Sequence, residues 1–303
     1  MIIQFALLLA FINALASEGL FPIADLKKLP DYKNSYVEFK GCGGIRIHHK
    51  LPYVLTALHC VTNELDSISP QRTISLGNHF AFDSINYFEK LDGKRLKDGS
   101  KVLKTGGCFT GMDPEVLQGE TKTNRLLAFQ CALKDWAIIE VAKSNGSTCS
   151  AVAKSQPKKV FALGASKNTI TRNRGLQKLE GYVYTEGKPW TPESLRSEPQ
   201  FVFASLWEEL IPDYEATIKN GFLITDADVM SGMSGGPVIT PEFKIVAVTT
   251  TALLPGNIWR YDGARSFEEG YNFGIHGAIH VSEIQQQILS LGENPKTYFD
   301  CPP

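Results

Sequence analysis

Three short stretches of this chain carry residues whose types and spacing could do chemistry together. Ser231-Gly232-Met233-Ser234-Gly235-Gly236-Pro237-Val238 sets a serine in a glycine-rich turn that runs into a strand. Glycine adopts backbone angles that other residues avoid, and it lets a substrate come close to the main chain. A serine hydroxyl at such a turn is a candidate nucleophile. The N–H groups of Gly232 and Ser234 could converge on the oxyanion of an acyl-transfer intermediate. A serine is a weak nucleophile at its free pKa and needs a base. Taken alone, the stretch fits a glycine-rich hairpin turn with an inert serine equally well.

A base stands upstream. Tyr53-Val54-Leu55-Thr56-Ala57-Leu58-His59-Cys60 is a short apolar run that ends in His-Cys. A histidine at the end of a buried strand is more often a satisfied core residue than a catalyst, but Lys134-Asp135-Trp136-Ala137-Ile138-Ile139-Glu140-Val141 changes that weighting. Here an aspartate opens a buried run, and an ionised carboxylate in such a place needs a partner. An imidazole is a fitting one, because an aspartate fixes the ring's tautomer and stabilises the imidazolium that forms during acyl transfer.

With Cys42-Gly43-Gly44 in front of them, these stretches resemble the chymotrypsin-like (trypsin-fold) serine peptidases. That family reads Cys-Gly-Gly, then Thr-Ala-x-His-Cys, then Asp-x-Ala-Leu, then Gly-x-Ser-Gly-Gly-Pro. The order His59, Asp135, Ser234 is the family's order. The resemblance is close around residues 36–61, 134–141 and 222–282. It implies His59 as general base and acid, Asp135 as its orienter, Ser234 as nucleophile, and the Gly232 and Ser234 N–H groups as oxyanion hole. It implies an all-β fold of two antiparallel Greek-key β-barrels with a C-terminal α-helix and the active site between the barrels. It also implies a disulfide between Cys42 and Cys60.

The elements that must position these residues follow from the rest of the chain. With 303 residues, 43% hydrophobic and 21% charged, the chain has ample core-forming material. A net charge of −1 points away from nucleic acid and anionic membranes as partners. Residues 1–16, an apolar run ending Ala14-Leu15-Ala16, read as a secretory signal peptide, too short for a comfortable transmembrane helix. Residues 17–303 then form the peptidase domain, with an N-terminal barrel over about 17–148 and a C-terminal barrel and helix over about 149–303. The expectation is a secreted or periplasmic monomer that meets protein or peptide substrates, with no membrane contact after signal removal. No cofactor and no metal are expected, since no Cys-x-x-Cys or His-rich spacing suggests a metal site.

Short β runs separated by turn residues favour the all-β class. Strands are expected at Tyr36–Phe39, Gly44–His48 and Tyr53–Ala57, near Val160, and at Gly181–Tyr184, Phe201–Ala204, Lys244–Thr250 and Phe273–Val281. A helix capped by Ser282 should run through Leu291, with Ile284, Ile288 and Leu291 on one face and Gly292 past its end. It should be the last element, with no PDZ domain after it. His48 and His49 read as exposed turn residues without chemistry. The remaining cysteines suggest Cys108–Cys131 and Cys149–Cys301, the latter tying the C-terminal tail to the linker between the barrels. Asn145-Gly146-Ser147 is a glycosylation sequon.

The resemblance also frames activation and specificity. Members of its animal branch mature when a new N-terminal amine pairs with an aspartate just before the nucleophile. Met233 stands there instead and forms no ion pair, which aligns this chain with the bacterial and V8-type branch. Asp228, six positions before Ser234, falls at the base of the family's S1 pocket, where a carboxylate selects Lys or Arg at P1. Thr249 and Thr251 flank that pocket, and His276 could contribute to its base. Thr249 is also expected to hydrogen-bond Asp135.

Two other classes compete. Gly232-Met233-Ser234-Gly235-Gly236 also fits the nucleophile elbow of an α/β-hydrolase esterase, with Ser234, Asp262 and His276 or His280 in order. That elbow should feed a helix, whereas Pro237-Val238-Ile239-Thr240-Pro241 reads as a strand and turn. A catalytically inactive homologue that binds a partner through the same cleft is the other alternative.

Overall fold

The computed structural model describes residues 35–39, 42–62, 72–75, 84–87, 91–107, 133–142, 148–155, 157–165, 177–179, 182–191, 194, 201–202, 221–225, 227, 229–230, 233–250, 259–260, 271–272 and 276–303. Its first half contains β1 (Tyr36–Phe39), β2 (Cys42–Arg46), β3 (Tyr53–Thr56), the short helix α1 (Leu58–Thr62), β4 (Arg72–Ser75), β5 (Ser84–Tyr87), β6 (Lys101–Thr105) and β7 (Ala137–Glu140). The second half contains β8 (Val160–Ala165), β9 (Gln177–Leu179), β10 (Tyr182–Gly187), β11 (Pro189–Trp190), β12 (Phe201–Val202), β13 (Phe222–Thr225), β14 (Val229–Met230), β15 (Pro237–Ile239), β16 (Ile245–Thr249), β17 (Trp259–Arg260), β18 (Tyr271–Asn272) and β19 (His276–His280). It closes with helix α2 (Val281–Ser290).

The strands make two main antiparallel sheets. One has the order β1-β2-β3-β7-β6, the other β11-β13-β19-β16-β15-β8-β10-β9. The fold is all-β with a helix near residue 290, as the motifs imply. The main sheets have five and eight strands among the described residues.

Side-chain alternation explains why the two sheets belong together. Successive residues of a strand point to opposite faces. In β3 and β7, Leu55 and Ile138 face a core shared with the second sheet, while Val54 and Ile139 face a smaller cluster with Leu58, Val61 and Val102. In the second sheet, Leu163, Ile239, Val248 and Ile279 join the shared core, and Val160, Ala162, Val238 and Ala247 line its opposite face. Helix α2 adds Val281, Ile284 and Ile288 to the shared core. One interior therefore receives apolar side chains from both sheets and the final helix, and burial of that surface is what fixes the sheets against each other.

Several local expectations shift. His59 does not end a strand but sits in the first turn of α1, directly after β3. Helix α2 begins two residues early: His280 takes the N-cap position and its side chain caps nothing, so Ser282 is not the cap. The reason is that β19 runs straight into the helix, which leaves no loop residue to turn back over its first turn. Gly292 follows the helix with φ of 79°, as expected. His48 is buried rather than exposed. Its Nδ1 accepts the Lys50 and Leu51 N–H groups, its ring stacks on His49, and it bridges to Asp300 in the C-terminal tail.

Cys149–Cys301 forms, and so does Cys42–Cys60. Cys108, Cys131, the signal segment 1–16 and Asn145 lie outside the described residues. Among the described residues no helix is long and apolar enough to cross a membrane. Because Cys149–Cys301 spans 152 residues of sequence, replacing both by serine should lower unfolding stability by about 2–5 kcal/mol. Chemical denaturation monitored by tryptophan fluorescence measures this, with the Cys42–Cys60 bridge kept intact.

Candidate active site

Asp135 lies on the short turn that precedes β7, and β7 pairs with β3 in the register Thr56↔Ala137. That pairing carries Asp135 to the end of β3 and so to the start of α1. There its carboxylate takes two hydrogen bonds from one residue. The backbone N–H of His59 donates to Oδ1 at 2.9 Å, and Nδ1 of the ring lies 2.7 Å from Oδ2. A carboxylate accepts only, so the Nδ1 proton sits between the two groups. Nε2 then carries the lone pair in the neutral ring. It lies 3.6 Å from Cys60 Sγ in the disulfide.

Asp135 is buried and the His59 ring is 18% exposed. Burial of the ring disfavours the imidazolium. The Asp135 charge and hydrogen bond outweigh that burial, and the His59 pKa is raised above its ordinary 6.5. A base of raised pKa is neutral only at higher pH, so chemistry that uses it gains rate as pH rises through the shifted value.

Ser234 reaches the same place from the other sheet. The turn Met233–Gly236 closes on itself through Gly236 N–H to Met233 C=O at 3.0 Å. It is then fastened on three sides. Gly235 N–H donates to Thr249 C=O at 2.7 Å, and Thr249 N–H donates to Gly236 C=O at 2.8 Å, which hangs the turn on the end of β16. Met233 is fully buried, and its side chain joins Val160, Ala162 and Val238 in the second sheet's own cluster. Towards the first sheet, Gly43 N–H donates to Ser234 C=O at 2.7 Å, while Thr56 Oγ1 donates to Gly43 C=O at 2.7 Å. The serine's backbone is thereby docked on β2 and β3, the hairpin that leads to His59. Ser234 itself is half-buried.

Gly235 is demanded twice over. Its φ is +75°, and a Cβ there would stand 2.3 Å from both Gly43 O and Thr56 Oγ1. The sequence quoted this glycine as part of a motif. Its second role, as the point where two sheets touch, needed the fold. Thr56 and Gly43 carry no assigned role in the sequence either, and their signals are the Thr-Ala-x-His and Cys-Gly-Gly stretches.

The remaining candidates divide. Thr249 holds the turn by its main chain, but its hydroxyl is buried and makes no hydrogen bond, so the expected bond to Asp135 is not formed. Each Asp135 oxygen accepts one hydrogen bond from His59. His276 opens β19 opposite Thr225. Gly232, Asp228, Thr251 and Asp262 lie outside the described residues. His280 bonds the Val246 carbonyl, and burial lowers its pKa more than that bond raises it. It therefore serves the β19–α2 junction. The turn after Ser234 feeds strand β15, not a helix, which is the opposite of a nucleophile elbow.

No protein-family model and no curated protein matches the chain. Among solved structures, it is similar to the inactive form of the Rv3671c protease of M. tuberculosis at 13% identity and a TM-score of 0.44, over 90% of this chain and 98% of that one. It is similar to the serine endoprotease from Yersinia pestis at 15% identity and a TM-score of 0.41, over 89% and 67%. It is also similar to the HtrA-type protease AlgW with a decapeptide, at 15% identity and a TM-score of 0.39, over 84% and 53%. At these scores the functional reading rests on this chain's own residues.

Two outcomes test the geometry. In ¹⁵N NMR, His59 should titrate above 6.5, and Asp135→Asn should move that midpoint down. Gly235→Ala should leave the His59 titration in place yet displace Ser234, cutting its reaction with an organophosphorus probe by about 10²-fold.

Proposed function

We propose that the chain is a secreted serine endopeptidase that cleaves peptide bonds through an acyl-enzyme. The observation that carries this reading is the docking of the Ser234 turn on the hairpin that leads to His59, whose Nδ1 is engaged by Asp135. With Nδ1 occupied, Nε2 is the nitrogen left to act as base.

In this mechanism Ser234 Oγ attacks the scissile carbonyl carbon, and its proton passes to His59 Nε2. The carbonyl oxygen becomes an oxyanion, held by the N–H groups of Gly232 and Ser234. Asp135 stabilises the imidazolium without itself being protonated. The intermediate collapses, the C–N bond breaks, and the leaving amine takes the proton from Nε2. Water then gives a proton to Nε2 and attacks the acyl carbon. Return of that proton to Ser234 Oγ releases the acid and restores the enzyme.

Met233 bears on activation. Buried among aliphatic side chains, it anchors the nucleophile turn by packing, and supports a site formed without insertion of a new N-terminal amine. Specificity for Lys or Arg at P1 is assigned to Asp228, flanked by Thr249, Thr251 and His276. Two disulfides favour an oxidising compartment, in keeping with export by residues 1–16.

The test is labelling of folded, disulfide-bonded protein with a fluorophosphonate probe. Labelling should occur in the natural chain and vanish in Ser234→Ala and His59→Ala. Absence of labelling in the natural chain, with the disulfides intact and after limited proteolysis, would refute the proposal. Peptide substrates with Arg, Lys, Glu or Phe at P1 then test Asp228, whose replacement by serine should abolish a preference for Arg and Lys.

A further inference from the structure

The loop that presents Asp135 is held from a distant part of the chain. Gln287, on helix α2, spends its carboxamide on both ends of that loop. The Trp136 indole N–H donates to Gln287 Oε1 at 2.7 Å, and Gln287 Nε2 donates to Leu133 C=O at 3.1 Å. A second donation, to Glu283 Oε1 at 2.8 Å, fixes the carboxamide from one helical turn earlier. The orientation of the amide is dictated by its partners, since an indole N–H only donates and a backbone carbonyl only accepts. Asp135 lies between the two contacted residues. On the loop's other side, Gly106 N–H donates to Trp136 C=O at 3.0 Å, and a Cβ on Gly106 would stand 2.2 Å from Lys134 O. The segment 133–136 is thus pinned between the end of β6 and a side chain some 150 residues later in sequence, at a separation of 151 from Trp136.

We infer that Gln287 is a positioning residue for the Asp135–His59 pair, holding the Asp135 loop at the height where its carboxylate meets the His59 backbone N–H and Nδ1. The inference deepens the peptidase reading and rests on it for its catalytic consequence. The hydrogen bonds of Gln287 go to Trp136, Leu133 and Glu283, so it acts on Asp135 through the loop. The charged group that acts on His59 is Asp135. The neighbouring Cys42–Cys60 bridge does not titrate, and Glu283 is the charged group set against the Gln287 amide.

Gln287→Met keeps the length of the side chain and removes both loop contacts. The result expected is a fall of the His59 titration midpoint in ¹⁵N NMR and loss of the low-field Nδ1 proton signal. A decrease of up to about 10²-fold in kcat/KM should accompany it, carried by kcat with KM unchanged. Trp136→Phe removes the indole donor from the opposite side and should move the midpoint the same way, so the inference stays testable should either variant fold poorly. Ile284→Val, which trims the helix's buried face without touching the loop, should lower thermal stability and leave the midpoint in place. A folded Gln287→Met or Trp136→Phe protein with an unchanged midpoint and an unchanged low-field proton would overturn the inference. So would an equal shift in Ile284→Val. Because NMR needs no turnover, a natural chain that neither cleaves nor labels would refute the peptidase reading and still leave the role of Gln287 decided.

Discussion

The candidate site depends on a contact between two backbones with no room for a side chain. Gly43 on β2 gives its N–H to the carbonyl of Ser234, and Thr56 on β3 fixes the carbonyl of the same glycine. Gly235, in a left-handed conformation, fills the remaining gap. A hydrogen bond between main chains is short and has no rotamers to sample, so it sets the separation of two sheets more tightly than side-chain packing alone. Everything the site could do follows from that separation. His59 belongs to one sheet and Ser234 to the other, and a small drift between them would part the base from the hydroxyl.

Each partner is also made rigid within its own sheet. His59 is gripped at two points by one carboxylate, which fixes the ring's tautomer along with its position. The Ser234 turn is suspended from β16 by two main-chain bonds and weighted into the core by Met233. The two anchors differ in kind. The histidine side is polar and therefore responds to pH through the raised pKa of His59. The serine side is apolar and conformational, and responds to volume and backbone angle.

How much of this could be read from the sequence depends on the range of the interaction. The roles expected of His59, Asp135 and Ser234 rest on short motifs, and the fold brings those motifs into one neighbourhood. The all-β class and the terminal helix follow from periodicity, and the structure has both. Cys42–Cys60 came with the resemblance, while Cys149–Cys301 was one pairing among several open ones; both form. Local logic failed where distant chain intervenes. His48 looked like a turn residue beside Lys50 and Pro52, but the tail around Asp300 covers it. Ser282 looked like a helix cap, but β19 leads into the helix without a break. Thr249 is expected by analogy to bond Asp135, yet its buried hydroxyl makes no hydrogen bond. Gln287 had no signal at all, because nothing near it in sequence marks a partner 151 positions away.

Residues 283–301 brace elements far upstream in sequence. The α2 carboxamide reaches the Asp135 loop, Asp300 bridges to His48, and Cys301 is bonded to Cys149. A nascent chain emerges N-terminus first, and its domains fold in that direction. Here the β2–β3 hairpin and the Asp135 loop cannot acquire their final braces until residues 283–301 have left the ribosome. A site built this way stays incomplete until residues 283–301 are made, so that a late segment acts as a timer on an early one.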